Sequence, residues 1–402
     1  MHAGEDEGDR GGEEIPMDPV ELFTPEFKRD PFPTYRILRD HHPVYRDPRT
    51  GAWLLSRFED VYATLADHEA FSSEDTRRAD SRLGPRRSAR VLVGQDQPGH
   101  TRIRRLVNRP FARGGIEKLQ PELDALAGEL LDAIPEQPVD LVPVLAIPLP
   151  VMVIARVLGV APEDYQRFKA WSDSVIATDA PAEATSAAVR EMHAHFREVA
   201  ARRLEEPRDD LISVLVHEQP EGEPLSEEEL LDICQVVLVS GNQTTTALIG
   251  NVLNVLVDRP DLWARLRDDR SLVDAATEEG LRFDSPLQLL WRRAVRDVEV
   301  RGVTIPEGST VAVIYGSANR DEREFPEPDA FLLDRELGSH LAFGHGIHYC
   351  LGAPLARAEL RAVLNGLLDR YATLERAGPA ERLQSPGFTL RGFGRLPIRF
   401  SP

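Results

Sequence analysis

The chain has 402 residues, 42% hydrophobic and 29% charged. That balance can bury a sizeable core and excludes a collagen-like, wholly disordered or disulfide-framed chain. A net charge of −19 and a pI near 5.1 argue against a general nucleic-acid binder, because phosphate contacts need clustered Lys and Arg. Cys234 and Cys350 are the only cysteines, which suits a reducing, cytoplasmic setting.

Residues 1–16 carry six acids against one Arg and no apolar run. They read as a solvated, disordered leader rather than a signal peptide, ahead of one domain over 17–402. Pro31–Asp40 predicts a short helix. Pro43–Arg46 and Ala52–Ser56 predict a hairpin around Asp47, Pro48 and Gly51. Residues 59–67 return to helical spacing. A breaker-rich loop over 72–99 holds Arg77, Arg78, Arg82, Arg86, Arg87 and Arg90, a solvated face or a gate over a polar ligand.

Helical patterns then run over 100–108, 116–133, 149–158, 163–178, 182–205, 208–217 and 226–258. Ser226 is the N-cap of the last, with Glu227, Glu228 and Glu229 in its first turn. At 1.5 Å per residue it spans roughly 50 Å, and being mostly apolar it must cross the interior. Helices at 260–268 and 271–283 follow, then β-like text at 297–315 and 388–400. The apolar stretch Leu141–Ala155 is broken by Pro143, Pro148 and Pro150, too short for a membrane span. The expected class is mainly α with small β-sheets. Regular strand–helix alternation is absent, which argues against a doubly wound fold.

A long segment, 320–348, is rich in Pro, Asp, Gly and His, and loops of that length are usually functional. It runs into Phe343-Gly-His-Gly-Ile-His348-Tyr-Cys350-Leu-Gly352, followed by Ala353-Pro354 and a helix to about Leu368. Glycines allow close backbone approach, and Pro354 is tolerated in a first helical turn. The turn thus delivers Cys350 to a helix N-terminus, whose free N–H groups favour a thiolate. A thiolate so held, with open space above it, suits an axial iron ligand. Cys234, mid-helix among apolar residues, reads as core.

At these residues the chain resembles the cytochrome P-450 family, matching its haem-thiolate loop Phe-x-x-Gly-x-His-x-Cys-x-Gly in full. The resemblance implies a single large haem domain with a long central oxygen-activating helix. It makes Cys350 the ligand of haem b iron, with Phe343 beside the sulfur, Gly352 allowing close approach, and His348 facing a propionate. Glu279-Gly-Leu-Arg282 matches Glu-x-x-Arg, its ends on one helix face, and Arg335 would complete a buried ionic triad. His100 and Arg104, i and i+4, together with Arg292, fit the propionate contacts.

The oxygen-activating helix departs from the pattern. Where the family usually has Ala-Gly-x-Glu/Asp-Thr-Thr, this chain has Ser240-Gly241-Asn242-Gln243-Thr244-Thr245. The resemblance gives Gly241 a kink that admits O2, and Thr244 the hydroxyl that bonds iron-bound oxygen. Gln243 replaces the acid, and an amide cannot shuttle protons as a carboxyl does. Either water takes over the relay, or the reaction is an atypical oxidation: coupling, desaturation, rearrangement or a peroxide-driven route.

By the same resemblance, substrate contacts fall on Val91, Leu92, Val93, Val236, Val237, Ser240, Leu287, Gln288, Leu289, Leu290, Phe388 and Thr389. The set is mostly aliphatic, for a medium-sized apolar or secondary-metabolite scaffold, free or tethered to a carrier protein. The implied activity is monooxygenation with electrons from a separate ferredoxin and its reductase, in a cytoplasmic monomer. Arg102, Arg105, Arg109, Arg113, Arg357 and Arg361 are candidates for a basic patch facing an acidic ferredoxin. A non-enzymatic haem sensor is the remote alternative.

Overall fold

The computed structural model describes every residue except 1–19, 21, 23, 75–90, 135–136, 162–163, 177–181, 219–223, 337, 384–387 and 402. The acidic leader and the six loop arginines, Arg77 to Arg90, therefore lie outside the described residues.

The helices in chain order are α1 (Pro25–Arg29), α2 (Phe32–His41), α3 (Phe58–Ala66), α4 (Gly99–Phe111), α5 (Arg113–Asp132), α6 (Pro148–Leu158), α7 (Tyr165–Ile176), α8 (Ala182–Glu205), α9 (Leu211–His217), α10 (Glu227–Val257), α11 (Pro260–Asp268), α12 (Leu272–Phe283), α13 (Tyr315–Ala318) and α14 (Ala353–Arg370). The strands are β1 (Val44–Arg46), β2 (Trp53–Leu55), β3 (Phe71–Ser72), β4 (Val139–Asp140), β5 (Leu290–Ala294), β6 (Val298–Val300), β7 (Val303–Ile305), β8 (Thr310–Val313), β9 (Thr373–Arg376), β10 (Glu381–Arg382), β11 (Phe393–Arg395) and β12 (Pro397–Ser401).

Each helix the spacing predicts is present, within a few residues at its ends. The 208–217 pattern starts as a helix only at Leu211, because the Asp210 side chain accepts the Ser213 N–H at 2.8 Å and caps the turn there. The N-terminus of α10 is a full capping box. The Ser226 hydroxyl accepts the Glu229 N–H at 3.1 Å, and the Glu229 carboxylate accepts the Ser226 N–H at 2.9 Å. From there α10 stays helical for 31 residues, straight through Gly241. Helix α14 ends at Arg370, two residues beyond the expected Leu368.

The five-stranded sheet has the order β1-β2-β8-β5-β3. Strands β1 and β2 form the expected hairpin, Tyr45 opposite Leu54. Strand β5 was not expected: its text alternates poorly, and only pairing on both sides, with β8 and with β3, holds it extended. It carries Arg292. A three-stranded sheet β4-β12-β9 ties the C-terminus to the start of α6, and β6-β7 and β10-β11 are separate pairs.

The main core joins α4 to α6, α8 to α10, α12 and α14 around residues such as Leu123, Leu145, Leu238, Leu253 and Leu364, all fully buried. A second core lies under the five-stranded sheet, and a third joins Leu22, Phe27, Tyr35 and Leu38 to Leu289 and Ile314. Among the described residues no helix is long and apolar enough to cross a membrane.

Candidate active site

The turn before α14 is built on two left-handed glycines, Gly344 (φ 71°) and Gly346 (φ 72°). At Gly346 a Cβ would also stand 2.5 Å from the Leu65 carbonyl oxygen, so α3 closes on the turn where only glycine fits. The Cys350 N–H donates to the Phe343 carbonyl at 2.9 Å, closing the loop on itself. Cys350 is exposed, yet protein crowds its sulfur, and that burial pushes the thiol pKa up. Opposing it are the Gly352 N–H, the charges of Arg104 and Arg357, and the Ala353 N–H. Cys234 is fully buried, and burial, with the Asp210 charge after it, pushes its thiol far up.

His100 and Arg104 lie one turn apart on α4, and the His100 and His348 rings are 4.5 Å apart. His100 Nδ1 and His348 Nε2 are buried without a hydrogen-bond partner. Burial, then the charges of Arg292, His100 and Arg104, push the His348 pKa down to about 3. Burial, then Arg104, also push His100 down. Arg292, buried on β5, donates among the described residues only to the Trp291 carbonyl, at 2.9 Å. Asp96, the acid near His100, is engaged by the Ser72 hydroxyl and, at 2.9 Å, by the Ser73 N–H. Two guanidinium groups and two unpartnered imidazoles thus converge without a bonded carboxylate among the described residues. Buried polar groups of this kind need partners. A ligand with two carboxylates beside a thiolate-seeking metal fits this set, and haem is such a ligand. Cys350 would hold its iron, and His100, Arg104, Arg292 and His348 its propionates.

On α10 the residues 236, 240, 243 and 244 follow the i, i+4, i+7, i+8 spacing of one face. It is the open face of a helix otherwise walled by buried Val237, Leu238, Asn242 and Thr245: Ser240 is exposed, Val236, Gln243 and Thr244 half-buried. The Thr244 hydroxyl donates to the Ser240 carbonyl at 2.8 Å, and Thr245 does the same to Gly241 at 3.2 Å. A Cβ on Gly241 would come within 2.9 Å of the Ile154 side chain, so this glycine permits close packing of α6. The Asn242 amide donates to the buried Ser172 hydroxyl of α7 at 3.2 Å. No motif pointed to that bond; an Asn inside an apolar helical run was its one sequence signal.

Glu279 accepts Arg282 Nε at 2.7 Å and Nη2 at 2.8 Å, and Arg335 Nε at 3.1 Å. Glu279 and Arg282 are fully buried. Arg282 also donates to the carbonyls of Asn319, Pro328 and Ala330, which pins the long 320–348 segment against α12.

The residues expected around the substrate are spread over all three cores, with Leu287 and Leu290 packed on the second. Val91 and Val237 are buried in the main core, and Val236 packs on it. Leu289 and Phe388 belong to the third core, where Phe388 lies 5.9 Å from the Phe27 ring. Val93 is 54% exposed. The Thr389 carbonyl accepts the Gln288 N–H at 2.7 Å. The Gln288 side chain, considered a polar substrate contact, accepts the Tyr35 hydroxyl at 3.1 Å and donates to the Ser285 carbonyl at 2.7 Å. Its amide is therefore engaged inside the protein.

The arginines expected to face a ferredoxin are mostly paired within the chain. Arg102 bonds Glu229, Arg109 bonds Glu218 at 3.1 Å, Arg113 bonds Glu117 at 2.8 Å and Arg361 bonds Asp274 at 2.8 Å. Arg357 turns inward to Glu278. Their local acids offset the basic patch that the sequence suggests.

A family model described as Cytochrome P450 matches residues 160–392. The mycinamicin IV hydroxylase/epoxidase of Micromonospora griseorubida is 40% identical, over 90% of this chain and 94% of its own length. The vitamin D(3) 25-hydroxylase of Pseudonocardia autotrophica is 38% identical, over 95% and 96%. The structure of CYP109E1 from Bacillus megaterium, solved with corticosterone, superposes with a TM-score of 0.85 at 33% identity, covering 93% of this chain and 99% of that one. With the thiol, the cationic cluster and the buried Glu279 triad in one fold, these likenesses show that the chain is an oxidoreductase belonging to the cytochrome P450 monooxygenase family.

Proposed function

We propose that this protein is a haem b monooxygenase that inserts one oxygen atom of O2 into a C–H bond of a medium-sized apolar secondary metabolite, free or carrier-tethered. In this reading residues 17–402 form the haem domain of a cytoplasmic monomer, and a separate ferredoxin and its reductase supply the electrons. The observation that carries it is Cys350 on its Gly-rich turn before α14, with the Arg104, Arg292, His100 and His348 cluster nearby and two of its buried imidazole nitrogens without a hydrogen-bond partner. Haem held by a thiolate supplies the reductive activation of O2. The chain's own residues bind and orient. Gly352 and Ala353 direct N–H groups at the sulfur, and Thr244 and Ser240 place hydroxyls on the open face of α10. Val236 adds aliphatic surface to that face, which favours an apolar scaffold. The relatives named for mycinamicin IV and vitamin D(3) point the same way. The test is turnover with surrogate ferredoxin and reductase under isotopically labelled O2. One labelled oxygen per product molecule is expected. NADPH consumption that gives only peroxide across a library of apolar metabolites would refute the substrate reading.

Gln243 favours a second reading, an atypical oxidation with less need for proton delivery. General acid–base assistance is worth ~10²–10⁴-fold where fully used. Gln243→Glu should improve coupling of electrons to product if hydroxylation is native. A shift of products toward simple hydroxylation would instead mark the native reaction as atypical. Unchanged coupling and products would make Gln243 neutral.

A further inference from the structure

The turn that ends at Cys350 rests on a polar network outside the family's motifs. Glu278 precedes the triad's Glu279, so its side chain leaves α12 about 100° away from that of Glu279. It accepts Arg357 Nε at 2.6 Å and Nη2 at 2.8 Å, and His340 Nε2 at 3.1 Å. His340 Nδ1 accepts the Ala342 N–H at 3.2 Å, which leaves the ring proton on Nε2, donated to Glu278. Burial pushes the Glu278 carboxyl up, but the Arg357 and His340 bonds outweigh it and hold its pKa at about 2. The pair is therefore ionised at neutral pH.

Arg357 touches the cysteine turn on two sides. Its Nη1 lies 3.3 Å from the Tyr349 hydroxyl, and its guanidinium carbon lies 4.5 Å from the Phe343 ring centre. Tyr349 precedes Cys350, and the Phe343 carbonyl accepts the Cys350 N–H. The charge of Arg357, like that of Arg104, favours the thiolate of Cys350. Three segments thus meet at the cysteine turn: α12 through Glu278, the stretch at His340, and α14 through Arg357.

We propose that Glu278 and Arg357 are a positioning pair for Cys350, Arg357 supplying positive charge beside the sulfur and Glu278 offsetting it, so that together they set the reduction potential of the metal the sulfur ligates. This rests on Cys350 being the haem ligand. One-electron reduction adds negative charge to the site, and a nearby cation favours it. Deleting the cation and deleting its counter-ion must therefore act in opposite directions.

The experiment is a mediated redox titration of the haem-loaded protein, read by its absorption spectrum. Arg357→Gln should shift the midpoint to lower potential and Glu278→Gln to higher potential. Arg357→Lys, which keeps the charge, should restore the wild-type midpoint. The double variant should fall between the two single ones. A merely structural role would weaken haem retention in each without opposite shifts. Shifts of the same sign, or none, overturn the proposal. If Arg357→Gln loses haem, Glu278→Gln and Arg357→Lys decide: a raised midpoint with an unchanged one supports it, and any other pair of results overturns it. A wild-type protein without the red-shifted ferrous-CO band of a thiolate ligand would overturn the ligand reading itself.

Discussion

Glu359 sits mid-way along α14, 2% exposed, with its Oε2 bonded to nothing, and burial raises its pKa well above the ordinary carboxylate range. The folded protein therefore keeps a proton that the unfolded chain releases above pH ~4.3. The sign follows from linkage: the unfolded state binds fewer protons, so stability falls as pH rises through that range until the folded carboxyl ionises. Each pH unit in that window costs about 1.4 kcal/mol. Glu359→Gln keeps the shape of the protonated acid and cannot titrate. The variant should match wild type near pH 4.5 and exceed it by a margin that widens by up to about 1.4 kcal/mol per pH unit for as long as the folded carboxyl stays protonated. For a chain of this length, at about 2.1 cal/mol/K per residue, each such unit is roughly 1–2 °C in Tm. Urea unfolding of both proteins across pH 4.5–7, followed by fluorescence, measures the difference directly. A gap that does not widen with pH would refute the reasoning, because it would mean that Glu359 is already ionised and partnered in the folded state.

Cys350→His should abolish the red-shifted ferrous-CO band, whereas Cys234→Ala, in the apolar interior, should leave it in place; the spectrum of each variant checks this. Arg335→Leu removes one partner of fully buried Glu279 and should destabilise by about 3–5 kcal/mol, read as a lowered urea midpoint. Gly346→Ala puts a Cβ 2.5 Å from the Leu65 carbonyl at a φ of 72°. Its haem content after purification should drop sharply, while Gly308→Ala, also left-handed but with open space around it, should keep full occupancy.

What the amino-acid text determined by itself is local. The N-cap Ser226 with the acids of its first turn, the i, i+3 pair Glu279 and Arg282, and the Gly-rich turn into Pro354 all act across a few residues. Their physics is complete within one helical turn or one loop, so they can be read without knowing the fold. Tertiary structure decided what several segments must share. Strand β5 is extended because β8 and β3 flank it, not because of its own composition. Gln288, a plausible substrate contact in the text, is held by Tyr35 from 253 positions away. Arg357, in the text a candidate for a basic patch facing a ferredoxin, meets Glu278 across 79 positions and contacts the cysteine turn. Leu289 and Phe388 pack into a core apart from Val91 and Val237. In each case a side chain's role depends on which distant partner satisfies its charge, its hydrogen bonds or its apolar surface, and folding alone chooses that partner.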